Sequence, residues 1–427
     1  MRLSNTGTRK VAETFSADNA PMQFETARLR QVGPILVAAI LAGLYAWAML
    51  TATLTGHDGA IGLGFNAMGA DWVIWEGAAR AVLAHQGAHI YDQAWITAMV
   101  NHDYAGWLSQ RLPYPVFPYP PVMLLLVTPF ALLPMPLSML AFECLAFATL
   151  ALVLRKLAGD RASWLFFTVG ILVSPAAALN MAAGQNGFLT AALLAGSFVL
   201  LEAAPMTAGM LLGLLILKPQ FMPLAVVALV AMKSWRPLAV MTATAFLFVV
   251  LSLVLFGPAL WLAWTNTFLH PQQGTGINGN AWGHMWDSTV STCLSLIGAP
   301  DWAATTGQGI AALIALVLVW RTFRQSQDLA ARLGVLLCAT LLASPHLSAY
   351  DMVVLALAAL IAVTQVPRGA TPVAYMVPLA AYVIPIYSPP RHNPIGLLTP
   401  LLLLALMGWF LRPSPSQTPA GPAYVPA

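Results

Sequence analysis

The chain has 427 residues, of which 59% are hydrophobic and only 8% charged, with a mean hydropathy of +0.76. Water-soluble domains carry roughly a quarter charged residues, so the charges here cannot cover a water-facing surface, which excludes a cytoplasmic enzyme, a nucleic-acid binder and a disordered chain. What remains is an integral membrane protein, and its net charge of +4 is too small to select a polyanionic partner.

Residues 1–33 are polar, with Arg2, Arg9, Lys10, Arg28 and Arg30, and read as a cytoplasmic arm. The apolar run 34–54 is long enough to cross a bilayer core of roughly 30 Å. It lacks a convincing A-x-A site and follows a long polar arm, so it reads as an uncleaved anchor rather than a signal peptide. Residues 55–118 form a first extracytoplasmic loop with the acids Asp58, Asp71, Glu76, Asp92 and Asp103. Within it, DWVIWEGAARAVLAHQG places Trp72, Trp75, Ala79, Val82 and Leu83 at helical spacing with Glu76 and Arg80 opposite, which predicts an amphipathic helix lying at the membrane interface. The apolar piece 120–134, between proline clusters, is short for a span and is expected to dip into the membrane without crossing.

Further spans are expected near 137–154, 163–180, 187–203, 205–217, 221–232, 237–256, 303–321, 332–345, 350–365, 371–387 and 395–411, which with 34–54 makes twelve. A second large outer loop covers 257–302, and the Pro-rich 412–427 is expected to be a disordered cytoplasmic tail. With both termini inside, 15 of the 19 Lys and Arg residues fall on the cytoplasmic side and only Arg80, Arg111, Lys218 and Arg391 outside, as the positive-inside rule requires. The same map places all eight histidines and most of the acids at the outer face, where proton-transfer chemistry would then sit.

No GxxxxGK[ST] loop, GxGxxG turn, D-x-D pair or HExxH motif occurs, so neither a nucleotide cradle nor a metal site is indicated. Cys144, Cys293 and Cys338 show no CxxC spacing, and no cofactor is expected. Asp71 precedes a helix and reads on its own first as an N-cap, with a reactive carboxylate as the alternative. Lys218 interrupts LLGLLILKPQFMPL; a charge at membrane depth costs at least about 2.5 kcal/mol, so it either snorkels from a hairpin tip or meets a watery cavity or an anion.

The segments GADWVIWEGAARAVLAHQGAHIYD (69–92), FPYPPVMLLLVTPFALLP (117–134), AAGQNGFLTAALL (182–194), AGMLLGLLILKPQFMPL (208–224) and SPHLSAYDMVVL (344–355) occur in that order. This ordered set, over about residues 34–360, resembles bacterial glycosyltransferase family 87, the polyprenyl-phosphate-mannose-dependent alpha-mannosyltransferase-like proteins of the GT-C superfamily. The resemblance implies an all-α, polytopic GT-C fold spanning 34–411, with about 12 transmembrane helices plus juxtamembrane and re-entrant ones. It implies a hexose, mannose first, moved from a polyprenyl-phosphate sugar donor to a glycolipid or glycan acceptor at the extracytoplasmic face of a bacterial inner membrane, with membrane lipids the other partners and no nucleic acid involved.

Asp71 in DWVIW matches the family's catalytic acid, with Trp75 where the family often has Tyr. It is expected to act as general base in an inverting displacement. Lys218 is expected to contact the donor phosphate, His346 phosphate or sugar, and Gln185 and Asn186 sugar hydroxyls. Tyr350 and Asp351 flank the same outer junction as His346, Tyr119 shapes the lipid-facing groove, and Arg80 completes the substrate-contacting set. The alternatives are a lipid-linked substrate transporter or flippase, or a non-catalytic subunit of envelope glycan assembly. A transporter usually carries ionisable groups within its spans, often in repeated halves, whereas here the acids lie chiefly in outer loops and no internal repeat is visible.

Overall fold

The computed structural model describes residues 68–108, 111–112, 115–269, 287–367, 370–384 and 394–412. The expected arm 1–33, the span 34–54, the start of the first outer loop, much of the second, and the tail beyond Arg412 lie outside the described residues. Among those described, every regular element is helical apart from one isolated antiparallel bridge between Asp287 and Ser348.

Helix α1 (Ala70–Leu83) opens the described chain, followed by α2 (Gln93–Asp103), whose first turn is capped by Asp92 Oδ1 accepting from Ala94 N and Trp95 N. The proline-flanked piece after residue 117 breaks into α3 (Val122–Val127), six residues long, and a 3-10 turn at Phe130–Leu132. At 1.5 Å per residue α3 extends about 9 Å, far short of a bilayer core. Helix α4 (Met135–Leu157) has 23 residues.

The expected span 163–180 is not one straight helix. It divides into α5 (Arg161–Leu172) and α6 (Pro175–Ala183), bent by 54° at the break, because Pro175 supplies no N–H to continue the ladder and instead starts a helix capped by Ser174 Oγ accepting from Ala177 N. Then come α7 (Gly187–Leu200), α8 (Pro205–Leu214), α9 (Met222–Ala231), α10 (Trp235–Phe256), α11 (Pro258–Leu269), α12 (Val290–Leu296), α13 (Asp301–Gln325), α14 (Leu329–Ala343), α15 (Met352–Thr364), α16 (Met376–Val383) and α17 (Thr399–Phe410). Two 3-10 turns, Leu215–Leu217 and Pro219–Phe221, separate α8 from α9 around Lys218.

Among the described residues three helices, α4, α10 and α13, are long and apolar enough to cross a membrane, or four spans if the bent α5–α6 pair counts as one. The other expected spans that fall among the described residues are apolar helices of 10–17 residues. Two of these, α14 and α15, are the centre of the bundle: every residue from Ala330 to Leu342 and all of Met352–Thr364 is buried, as befits helices apolar on nearly all sides. By contrast α10 buries only Pro237, Met241 and Ser252 and turns Phe246, Leu247, Val254 and Leu255 outward, a face suited to lipid.

A second, smaller core surrounds α1 and gathers α3, the start of α4, Tyr104, Phe117 and Tyr119. The amphipathic pattern expected of this helix does not leave a polar face open. Trp72, Val73, Trp75, Ala78 and Ala79 are fully enclosed, and Glu76, expected on the wet face, is buried too. Trp72 stacks on Phe142 with centroids 4.8 Å apart and donates from Nε1 to Ser138 Oγ at 3.1 Å. The small residues Gly77, Ala78 and Ala81 let neighbours close over what the sequence pattern presents as the polar side.

Candidate functional site

The site lies where the two cores meet. Gly69 and Gly184 both adopt left-handed conformations, with φ of 70° and 69°, open to glycine at little cost. Gly69 N donates to Ala182 O at 2.6 Å. A Cβ on Gly184 would stand 2.6 Å from Trp72 Cβ and 3.4 Å from Gly69 Cα, so only bare backbones pass this closely. The contact sets the start of α1 against the turn between α6 and α7, and hence Asp71 against Gln185.

Asp71 stands in the first turn of α1, whose N-cap is Gly69 and has no side-chain cap bond. The capping alternative is therefore not what holds this carboxylate. Its Oδ2 accepts from Gln185 Nε2 at 2.8 Å, and among the described residues Oδ1 has no hydrogen-bond partner. Burial pushes its pKa above the ordinary aspartate value; the Gln185 hydrogen bond and the charges of His346 and Lys218 pull the other way without cancelling it. A carboxylate raised toward the working pH is a better proton acceptor.

Gln185 Oε1 accepts from Tyr119 Oη at 3.1 Å and lies 3.4 Å from Asn186 N. Tyr119 is held in turn by its carbonyl, which accepts from Tyr91 Oη at 2.8 Å. Burial, then the charges of Asp351 and Asp71, keep the Tyr119 phenol protonated, well above its usual range. Asn186 Oδ1 faces Lys218 Nζ at 3.4 Å. Lys218 is buried rather than snorkelling, ion-paired to Asp351 Oδ1, with its ammonium over the rings of Tyr350 (5.0 Å) and Phe221 (5.2 Å). The fourfold company of carboxylate, amide and two aromatic faces explains how a lysine sits at this depth. In this structure its partner is thus Asp351, where the sequence suggests a phosphate or a watery cavity.

Asp351 closes a capping box with Ser348: Ser348 N donates to Asp351 Oδ2 at 3.2 Å, which orders the turn ahead of α15. Across it, Asp287 Oδ2 accepts from His346 Nδ1 at 2.9 Å, with the His346 side chain 36% exposed and that of Asp287 7%. Nδ1 carries the hydrogen because its partner is a carboxylate, so Nε2 is the nitrogen left to meet a ligand. Burial lowers the His346 pKa, but the charge and hydrogen bond of Asp287, aided by Asp351, outweigh it and the net shift is upward.

Seven residues singled out from sequence, Asp71, Tyr119, Gln185, Asn186, Lys218, Tyr350 and Asp351, are linked by these contacts, and His346 joins them through Asp287 and Ser348, whose Oγ lies 3.4 Å from Asp287 Oδ1. Arg80 does not join. It lies nine residues along α1 from Asp71, about 13 Å by helical rise, and its guanidinium binds Glu76 Oε1 and Leu133 O. Burial raises the Glu76 pKa against the pull of Arg80. Asp287, Ser348 and Asn180 are the site's unexpected members. No group of three or more His, Cys, Asp or Glu side chains able to hold a metal occurs among the described residues.

This constellation can bind and deprotonate a hydroxyl at Asp71, offer a cation at His346, and hold polar groups through the Gln185–Asn186 amides. The family model that matches the chain, over residues 117–345, is described as Glycosyltransferase family 87. The matched stretch holds Tyr119, Gln185, Asn186, Lys218 and Asp287, while Asp71 precedes it. No curated protein and no solved structure matches the chain.

Proposed function

The chain belongs to glycosyltransferase family 87, and on that premise we propose that it moves a hexose, mannose first, from a polyprenyl-phosphate carrier to a glycolipid or polysaccharide hydroxyl at the outer face of a bacterial inner membrane. The observation that carries this reading is the setting of Asp71: a carboxylate held on one oxygen by Gln185, free of capping duty, with its pKa raised by burial.

Asp71 takes the proton of the acceptor hydroxyl as that oxygen attacks the anomeric carbon. The bond from that carbon to phosphate oxygen breaks, and the polyprenyl phosphate leaves with the electron pair. Phosphate needs no protonation to depart, so one inverting step suffices and a beta-linked donor yields an alpha-linked product. His346, partly exposed and with its pKa held upward by Asp287 and Asp351, meets the phosphate through Nε2 and, when protonated, stabilises the charge that grows on the leaving group. Lys218 acts from behind: paired with Asp351, it orders the Ser348–Asp351 turn that follows His346 and adds its field to the anionic form of Asp71. The Gln185 and Asn186 amides border the sugar. Both termini are cytoplasmic in this reading, which is supported by the hydropathy-based topology that assigns 15 of the 19 basic residues to the cytoplasmic side.

The test is sugar transfer by purified protein in lipid nanodiscs, given a bacterial lipid extract as acceptor source. Radiolabelled polyprenyl-phosphate mannose is expected to yield a labelled product and GDP-mannose none. Transfer from the nucleotide sugar alone, or from no donor of either class, would contradict the assignment.

A further inference from the structure

We propose that Glu143, on α4 and outside every contact with Asp71, Lys218 or His346, is a positioning residue for the proposed base, acting through Asn180 and the four-residue turn 184–187. The inference rests on the reading of Asp71 as the base.

Asn180 grips that turn at both ends. Its backbone carbonyl accepts from Gly184 N at 3.0 Å and Gln185 N at 3.1 Å, and its side-chain Oδ1 accepts from Gly187 N at 2.7 Å. A backbone N–H can only donate, so Oδ1 must face Gly187 and Nδ2 must face away from it. There it meets Glu143, donating to Oε2 at 3.0 Å and Oε1 at 3.3 Å. All of these side chains are buried, so no bulk water replaces a lost partner, and an unsatisfied amide there would reorient to find another acceptor.

The turn has no slack. A Cβ on Gly187 would stand 2.3 Å from Tyr350 O and 2.5 Å from Asn180 Oδ1. From this clamped turn Gln185 reaches Asp71 and Asn186 reaches Lys218. The Glu143 carboxylate therefore holds the turn twice, through the Asn180 amide and through a hydrogen bond from the Gln185 backbone, and the turn presents the Gln185 hydrogen bond that orients the base. A buried hydrogen bond that merely joins α4 to α6 would contribute to folding and leave the titration of Asp71 untouched.

The experiment compares Glu143→Gln, Glu143→Leu, Asn180→Asp and the double variant Glu143→Gln/Asn180→Asp with the unmodified full chain in nanodiscs. Electron cryo-microscopy reads the Gln185–Asp71 contact; donor kinetics over pH read its consequence. Gln keeps an acceptor oxygen, so Glu143→Gln is expected to retain the contact and transfer within about threefold. Glu143→Leu is expected to lose the contact and at least about tenfold in kcat with little change in the donor KM, as interactions felt only in the transition state behave. Its acidic limb should move to higher pH, because the Gln185 hydrogen bond that lowers the Asp71 pKa is gone. Asn180→Asp sets two carboxylates face to face and should be impaired, whereas the double variant restores a donor–acceptor pair and should recover, which decides the matter even if Glu143→Leu fails to fold.

An intact Gln185–Asp71 contact and an unmoved acidic limb in Glu143→Leu, or no recovery in the double variant, would overturn the proposal. If the unmodified protein transfers no sugar, the functional reading fails, and the Gln185–Asp71 contact in the variants still decides whether Glu143 positions the turn.

Discussion

The bundle around α14 and α15 and the smaller core around α1 solve the same burial problem with different materials. The bundle is built from Leu, Ala and Val, with a few enclosed polar residues such as Thr340, Arg332 and Thr364. Apolar packing dominates it, supplemented by contacts such as Arg332 with Gln327 and the Phe323 ring, and none of its apolar residues has chemistry to offer. The α1 core is aromatic and polar by turns: Trp72, Trp75, Phe142 and Tyr119 close around a helix that also buries Glu76 and carries Asp71 at its first turn. Its partners come from a loop, a broken helix and the start of α4, and its boundary with the bundle is where the hydrogen-bonded side chains collect. A uniform apolar bundle thus supplies a rigid wall, and the heterogeneous core supplies a carboxylate whose environment can be tuned.

That contrast can be broken or sharpened by substitution. The largest loss of stability is expected inside the bundle: Leu355→Ala, at a fully enclosed position, should cost about 2–5 kcal/mol. Thermal unfolding in detergent would show it, with the donor KM of the folded fraction unchanged. Next comes Gly187→Ala, where the new methyl meets the Tyr350 carbonyl; about 1–3 kcal/mol is expected, together with a fall in transfer rate, because the displaced turn carries Gln185. A proportionate loss of stability with unchanged kcat would separate the turn from the chemistry.

Asp287→Asn should act on pH dependence more than on stability. Burial lowers the folded pKa of His346, but Asp287 with help from Asp351 carries it above its usual value, so the cation persists below that raised value and is lost as pH climbs through it. Without Asp287 the burial effect prevails, and the basic limb of the rate profile should move to lower pH. The smallest effect is expected at Val254→Ala on α10, 75% exposed: within about 0.5 kcal/mol and with no kinetic change.

How much of this is legible in the sequence follows the same division. Continuous apolar length marks α4, α7, α10, α13 and α14 within a few residues of their observed limits, because burial or lipid contact on all sides leaves an unbroken hydrophobic signal. The break at Ser174–Pro175 is written in the proline, yet hydropathy averages over it. The burial of α1 is not legible: helical spacing shows one apolar face, while the Gly77 side reads as neutral until Met99 and Tyr104, from the following helix and its end, pack on it. At the site, ordered motifs mark Asp71, Gln185, Asn186, Lys218, His346 and Asp351, but their partners are set by long-range geometry. Asp287 meets Ser348 across 61 residues, and Asn180 meets Glu143 across 37, pairings with no local periodicity. Arg80 shows the converse, since its ion pair with Glu76, one turn earlier, is local and sets it apart from the linked residues.

The central claim, that Asp71 is the proton acceptor at the seam between the two cores, is tested most directly by Asp71→Asn measured for transfer and stability together. Asn keeps an oxygen for Gln185 Nε2. The raised pKa of Asp71 means that its favourable contribution to stability is present below the ordinary aspartate value and is lost as pH rises through the raised one, so the neutral amide should unfold at the same or a higher temperature near neutral pH. Sugar transfer should fall by about a hundredfold or more. A variant that folds and still transfers mannose at the unmodified rate would contradict the account.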